Sequence, residues 1–229
     1  MAETKHERKA KLAWWMHHLA NYLPPSQIGV SLSFLQSFVA RRPHVARLRT
    51  EEVVDAVIKP ETMKRRCAYV DMLRGTSSGG EIGPSTIFVS HAWKYPWEVL
   101  VQTISGWEKE HMSRKDSFYW IDIICKNQHD VAASSSEAID AEFRVSISSA
   151  WGEHVMQPQL LFVVHPWPDP IAIKRIWCLF EIMYGMLCKA SLNLAFSTQV
   201  CACVCRVCLT LATDPVADTD TDTDTHVAM

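Results

Sequence analysis

Thr86-Ile87-Phe88-Val89-Ser90, followed directly by His91-Ala92-Trp93, is the stretch whose reading decides the fold. It is short, apolar and partly β-branched, with no polar alternation. That pattern predicts a strand covered on both faces, as in a parallel sheet. The same rhythm recurs downstream. Residues 98–110 carry Val99, Ile104 and Trp107 at helical spacing, and residues 118–124 (FYWIDII) read as a second buried strand. Ser134 and Glu137 form a capping box ahead of Ile139, Phe143 and Ile147, which repeat every four residues. Residues 159–164 (QLLFVV) read as a third strand. Asp169 and Pro170 open a helix running to about Lys189, and residues 192–196 form a fourth strand. Strands alternating with helices in this way predict an α/β domain over 84–197, with a parallel sheet and helices on both faces.

The flanks differ in kind. Residues 1–83 read as a helical extension. Leu12, Trp15, Leu19 and Tyr22 share a stripe that Pro24 and Pro25 end. Phe34, Leu35, Phe38 and Val39 mark a second helix. Thr50 caps a third, with Val53, Val54 and Val57 inward, and Pro60 opens a fourth with Met63, Cys67 and Val70 on one face. Residues 75–83 are a Gly- and Ser-rich linker. The tail, 198–229, contains CACVCRVC and DTDTDTDT, low-complexity runs of the kind simple-repeat DNA encodes, with too little apolar content to build a core.

Composition narrows the function. Hydrophobic residues make up 48 % and charged residues 21 %, a globular balance, and the net charge of −2 argues against nucleic acid as a partner. No stretch approaches the roughly 20 apolar residues that span a bilayer, and the N-terminus lacks a secretory cleavage pattern. The expectation is a cytoplasmic protein without membrane association. Four of the eight cysteines are scattered, as buried thiols are. Cys201, Cys203, Cys205 and Cys208 crowd the tail, but their spacing is not that of a zinc knuckle or ribbon, so no metal site is expected.

In an open parallel sheet, ligands bind beyond the carboxyl ends of the strands. Here those ends carry His91 and Trp93, then Cys125 and Asn127, then Trp167. No glycine follows the first strand, which excludes the phosphate cradles of dinucleotide and P-loop folds at that point. There is no GxSxG elbow either. The most specific string is Arg175-Ile176-Trp177-Cys178-Leu179-Phe180-Glu181, whose Trp177, Cys178 and Glu181 lie three or four residues apart. Two readings of Glu181 stand on the residues alone. It is a desolvated acid with a task, or it is an ordinary charge paired with Lys174 or Arg175. Likewise Trp93 and Trp167 either stack on a ligand ring or cover the sheet edge.

Three of these strings together carry a family resemblance. IFVSHAW (87–93) is similar to the first-strand motif of TIR (Toll/interleukin-1 receptor) domains. Residues 160–181, LLFVVHPWP followed by WCLFE, resemble the third strand and following helix of that family. SHAW, YWIDIICKNQHD and WCLFE together look closest to a TIR-like group common in protists and algae. The resemblance covers about half of the chain. It implies a flavodoxin-like fold and, for many relatives, NAD+ glycohydrolase activity with Glu181 at the catalytic position. His91, Trp93, Cys125, Asn127, Trp167, Trp177 and Cys178 would then surround the substrate. NAD+ enters as substrate, and no resident cofactor is expected. The resemblance also implies homo-oligomerisation through TIR-like contacts. The alternatives are a non-catalytic interaction module and an inactive truncated copy, because only about four of the family's five strands are legible and the loop CKNQHD lacks the Arg, Gly or Pro of signalling members.

Overall fold

The computed structural model describes residues 19–74, 80–111, 117–129, 136–150 and 158–197. In chain order the elements are β1 (Ile28–Ser31) and α1 (Leu32–Ala40), then α2 (Thr50–Val53), which runs through a π-helical turn (Val54–Ile58) into α3 (Lys59–Thr62). There follow α4 (Tyr69–Leu73), β2 (Ile82–Pro84), β3 (Ile87–Ser90), α5 (Trp97–Glu110), β4 (Phe118–Trp120) and α6 (Asp122–Cys125). The last are α7 (Ser136–Ser148), β5 (Gln159–Val164), α8 (Ile176–Leu187) and β6 (Ser191–Phe196).

The strands form one mostly parallel sheet in the order β2-β1-β4-β3-β5-β6. β3 pairs in parallel with β4 on one side and β5 on the other, so Phe88 lies between Trp120 and Leu160. β6 continues the parallel run beside β5. The chain first steps from β3 to β4, then returns across β3 to β5 and on to β6. This reversal is the topological switch point of doubly wound sheets, compatible with the flavodoxin-like class. Right-handed crossovers put helices reached in opposite directions on opposite faces. Accordingly α5 packs with α1, and α7 packs with α8.

The strand period of two sends Phe88 and Ser90 to the same face. There Phe88 stacks on Trp120 at 4.8 Å, and Phe143 of α7 meets the two rings edge-on at 6.0 and 5.8 Å. Opposite, Phe38 of α1 contacts Trp97 and Tyr69 at 5.9 and 5.7 Å. Val99, Ile104 and Trp107 are buried along α5, and Val53, Val54 and Val57 are buried as their spacing requires.

Several expectations need correction. The region before residue 84 is not purely helical: β1 and β2 are antiparallel strands, and β1 lies between β2 and β4. The residues read as the end of a linker, Ile82 and Gly83, are in β2. The expected strand over 118–124 stops at Trp120. The chain turns there into a helical turn capped by Ile121, with Asp122 in its first position and its Oδ1 accepting the Ile123 N–H at 2.7 Å. The helix expected from Asp169 begins only at Ile176, after a 3-10 turn at Ala172–Lys174, and the Asp169 carboxylate pairs with Lys174 at 2.5 Å. Thr50 is not the cap of its helix. Arg49 holds that position, its N–H bonded to Glu52 at 2.7 Å. Met63 is 56 % exposed and leaves the inward face proposed for it. The first half of the Leu12–Tyr22 stripe, Ser134 and the tail lie outside the described residues.

Candidate functional site

The site is built where β3 ends and α8 crosses it. Ser90 is the last residue of β3 and is fully buried. Its hydroxyl donates to Glu181 Oε2 of α8 in a short hydrogen bond. On α8 the buried residues are Cys178, Glu181, Tyr184 and Gly185, the three- and four-residue spacing of one helix face. That face meets the sheet, so a carboxyl at position 181 is carried inward and is only 7 % exposed. One turn earlier, the Cys178 thiol donates to the His91 carbonyl at 3.4 Å. Gly185 lets the helix approach the sheet, because a Cβ there would sit 2.8 Å from Leu160 Cδ1.

The electrostatics follow from this burial. Desolvation pushes Glu181 up to about 8, with the Asp122 charge adding to the rise; the Ser90 hydrogen bond and the Arg175 guanidinium pull the other way. Burial pushes the Cys178 thiol up to about 12, and the Glu181 charge adds to it. His91 moves in the opposite sense for the same reason: burial holds its imidazole below the usual range, against the pull of Asp122. His91 Nε2 is buried and has no hydrogen-bond partner. Asp122 itself is held by Trp93, whose Nε1 donates to Oδ2 at 2.5 Å.

Of the residues read from the sequence, His91, Trp93, Cys178 and Glu181 are brought together, and Asp122 links the first two to the end of β4. The rest separate. Cys125 is fully buried at the end of α6, and burial raises its thiol strongly. Asn127 is committed to the backbone, accepting the His129 N–H at 3.0 Å and donating to the Arg66 carbonyl at 3.0 Å. Trp167 is 45 % exposed, edge-on to Phe196 at 5.6 Å, which is edge packing. Trp177 does not share the face of Cys178 and Glu181. It is 44 % exposed and turns towards Phe143 of α7. Neither expected ion pair to Glu181 forms among the described residues: Lys174 is taken by Asp169, and Arg175 acts only through its field.

Two residues of the site escape the sequence reading. Ser90 reads only as the end of a strand, although a lone hydroxyl closing an apolar run is a visible signal. Asp122 stands inside a string that reads as strand, where an acid is out of place. Arg175, expected as an ion-pair partner of Glu181, reaches it only through its field. Among the described residues, no group of three or more His, Cys, Asp or Glu side chains is placed to hold a metal ion. No helix among them is long and apolar enough to cross a membrane. Comparison with protein-family models, with curated proteins and with solved structures found no match to this chain.

Proposed function

We propose that the chain cleaves the nicotinamide–ribose bond of NAD+, as its resemblance to TIR-like sequences implies, with Glu181 as the catalytic carboxylate. The observation that carries this reading is the position of Glu181: a desolvated acid, hydrogen-bonded by Ser90, at the switch point where doubly wound sheets take their ligands. In the reaction the C1′–N bond breaks and its electron pair neutralises the pyridinium nitrogen, so the leaving group needs no proton. Water adds to the oxocarbenium-like ribose and releases one proton. A carboxylate in a water-poor setting stabilises that cation far better than solvent does. The positive nicotinamide ring also favours ionisation of an acid that burial has raised to about 8. Because the carboxyl is 7 % exposed, binding is coupled to an opening between β3 and α8.

The test is turnover of a fluorescent NAD+ analogue by the full chain, with Glu181→Gln beside it. Turnover that disappears in a folded Glu181→Gln protein supports the proposal, and equal turnover in both removes it. A second reading, a non-catalytic module working through contacts between copies, is favoured by the exposed apolar residues Ile176, Met186 and Leu187 of α8 and Leu192, Leu194 and Phe196 of β6. Concentration-dependent assembly without turnover selects it.

A further inference from the structure

Arg175 stands where the chain reverses across β3. It ends the connection from β5 and caps α8, beside the carboxyl ends of the neighbouring strands β3 and β5. Tyr95, from the loop after β3, ties those ends together. Its hydroxyl accepts the N–H groups of His165 and Ala172, and the Arg175 N–H donates to the Ala172 carbonyl at 3.1 Å. The guanidinium charge reaches Tyr95, His91, Cys178 and Glu181, as a smaller effect than burial at each. Arg175 is only half-buried, and among the described residues its side chain has neither an ion pair nor a hydrogen bond. The acid closest to it in sequence before the helix, Asp169, is taken by Lys174. A guanidinium carries its charge at every working pH and presents a planar fork that matches phosphate oxygens.

The helix behind it adds to the same charge. α8 opens with no side-chain cap and no acid in its first turn. Its first N–H groups have no acceptor within the helix, and Ile176 and Trp177 are 77 % and 44 % exposed, so a ligand in solution reaches this turn. A third group converges from β3. The Cys178 thiol, in the same turn, bonds the carbonyl of His91, whose Nε2 is buried without a hydrogen-bond partner. The opening between β3 and α8 that uncovers Glu181 also parts this contact. A phosphate has acceptor oxygens for the guanidinium fork and the helix N–H groups at once. The loop His91-Ala92-Trp93 offers no glycine cradle after β3, so a phosphate contact at this rim has to come from another element. Glu181 lies about 9 Å further along the axis of α8. A phosphate on Arg175 therefore leaves room for a sugar between it and the carboxyl.

We propose that Arg175 and the first turn of α8 bind the diphosphate of a dinucleotide whose nicotinamide ribose lies at Glu181. The dinucleotide rests on the reading of Glu181; the phosphate site stands on Arg175 and its surroundings. The test is calorimetric titration of the full chain with ADP-ribose and with inorganic pyrophosphate, beside turnover of NAD+ and of nicotinamide riboside, which has no phosphate. The unaltered chain is compared with Arg175→Gln, Arg175→Lys, Lys174→Ala and Glu181→Gln. Both phosphate ligands are expected to bind the unaltered chain, and Arg175→Gln is expected to weaken them by about tenfold or more. Arg175→Lys should recover part of that loss, and Lys174→Ala, the same loss of charge one residue away, should bind as the unaltered chain does. In turnover, Arg175→Gln should lower kcat/KM for NAD+ by a similar factor and leave nicotinamide riboside unchanged. Absence of binding to the unaltered chain overturns the proposal, as does equal affinity in Arg175→Gln or an equal loss in Lys174→Ala. Binding that needs Arg175 in a chain that cleaves no NAD+ upholds the phosphate site and removes the glycohydrolase reading alone.

Discussion

The Ser90 hydroxyl is the one hydrogen-bond donor to Glu181 given by the described residues, and it joins the carboxyl end of β3 to the buried face of α8. Ser90→Ala leaves that carboxyl buried and unpaired. The expected loss is about 1–3 kcal/mol in chemical denaturation. The losses from Ser90→Ala and Glu181→Gln should not add, with a coupling of roughly 0.5 kcal/mol or more in a double-mutant cycle. Strict additivity would deny the pair any energetic role.

Glu181 and His91 impose a specific pH profile. Glu181 is raised from 4.5 to about 8, so the folded state holds an extra proton between those values and its stability falls as pH rises through them. His91 is lowered from 6.5, so the unfolded state holds the extra proton below 6.5 and stability rises with pH there. The two slopes oppose each other below 6.5, and Glu181 acts alone from there to about 8. The unaltered chain should lose up to roughly 1.4 kcal/mol per pH unit in that window relative to Glu181→Gln. Parallel profiles for the two proteins would show that the carboxyl is not desolvated.

Asp122 raises Glu181 by its charge. Asp122→Asn keeps the side chain's shape and its acceptor for Trp93 while removing that charge. The Glu181 ionisation, followed by the NMR shift of a 13C-labelled side-chain carboxyl, should move to lower pH. An unchanged midpoint would mean that the Asp122 charge is screened from the site.

Tyr95 holds the chain between β5 and α8. Its hydroxyl accepts the His165 and Ala172 N–H groups at 3.3 and 3.2 Å and donates to the Val163 carbonyl at 3.3 Å. Tyr95→Phe strands all three, and a cost of about 2 kcal/mol or more is expected. Hydrogen exchange should accelerate at the amides of 165 and 172 before the rest of β5.

Gly29 tests the place of β1 in the sheet. A Cβ there would lie 2.6 Å from the Phe118 carbonyl carbon, and backbone cannot step aside as a side chain can. Gly29→Ala should cost several kcal/mol, about the scale of a disrupted core, and lower the thermal midpoint accordingly.

The parallel half of the sheet was legible because continuous apolar runs leave few alternatives. TIFVS and QLLFVV became β3 and β5 within a residue of their expected bounds. FYWIDII divides into β4 and α6 because burial on both faces gives strand and helix the same composition, so an apolar run alone does not mark where one ends and the other begins. β1 was invisible for another reason. Ile28–Ser31 runs straight into α1, where Ser31 caps the helix by accepting the Phe34 N–H at 3.2 Å, so the strand has no punctuation of its own. In the site, Glu181 was found by its motif, but its partner Ser90 needed the geometry. No periodicity in one segment reports which residue of another will face it.

β1 is inserted between β2 and β4, so the boundary at residue 84 suggested by composition cuts through a hydrogen-bonded sheet. A transplant of 84–197 into another protein would carry β4 with a bare flank and leave behind the strand that seals it. The smallest portable unit therefore starts no later than Ile28, and part of what reads as a helical extension is a structural wall.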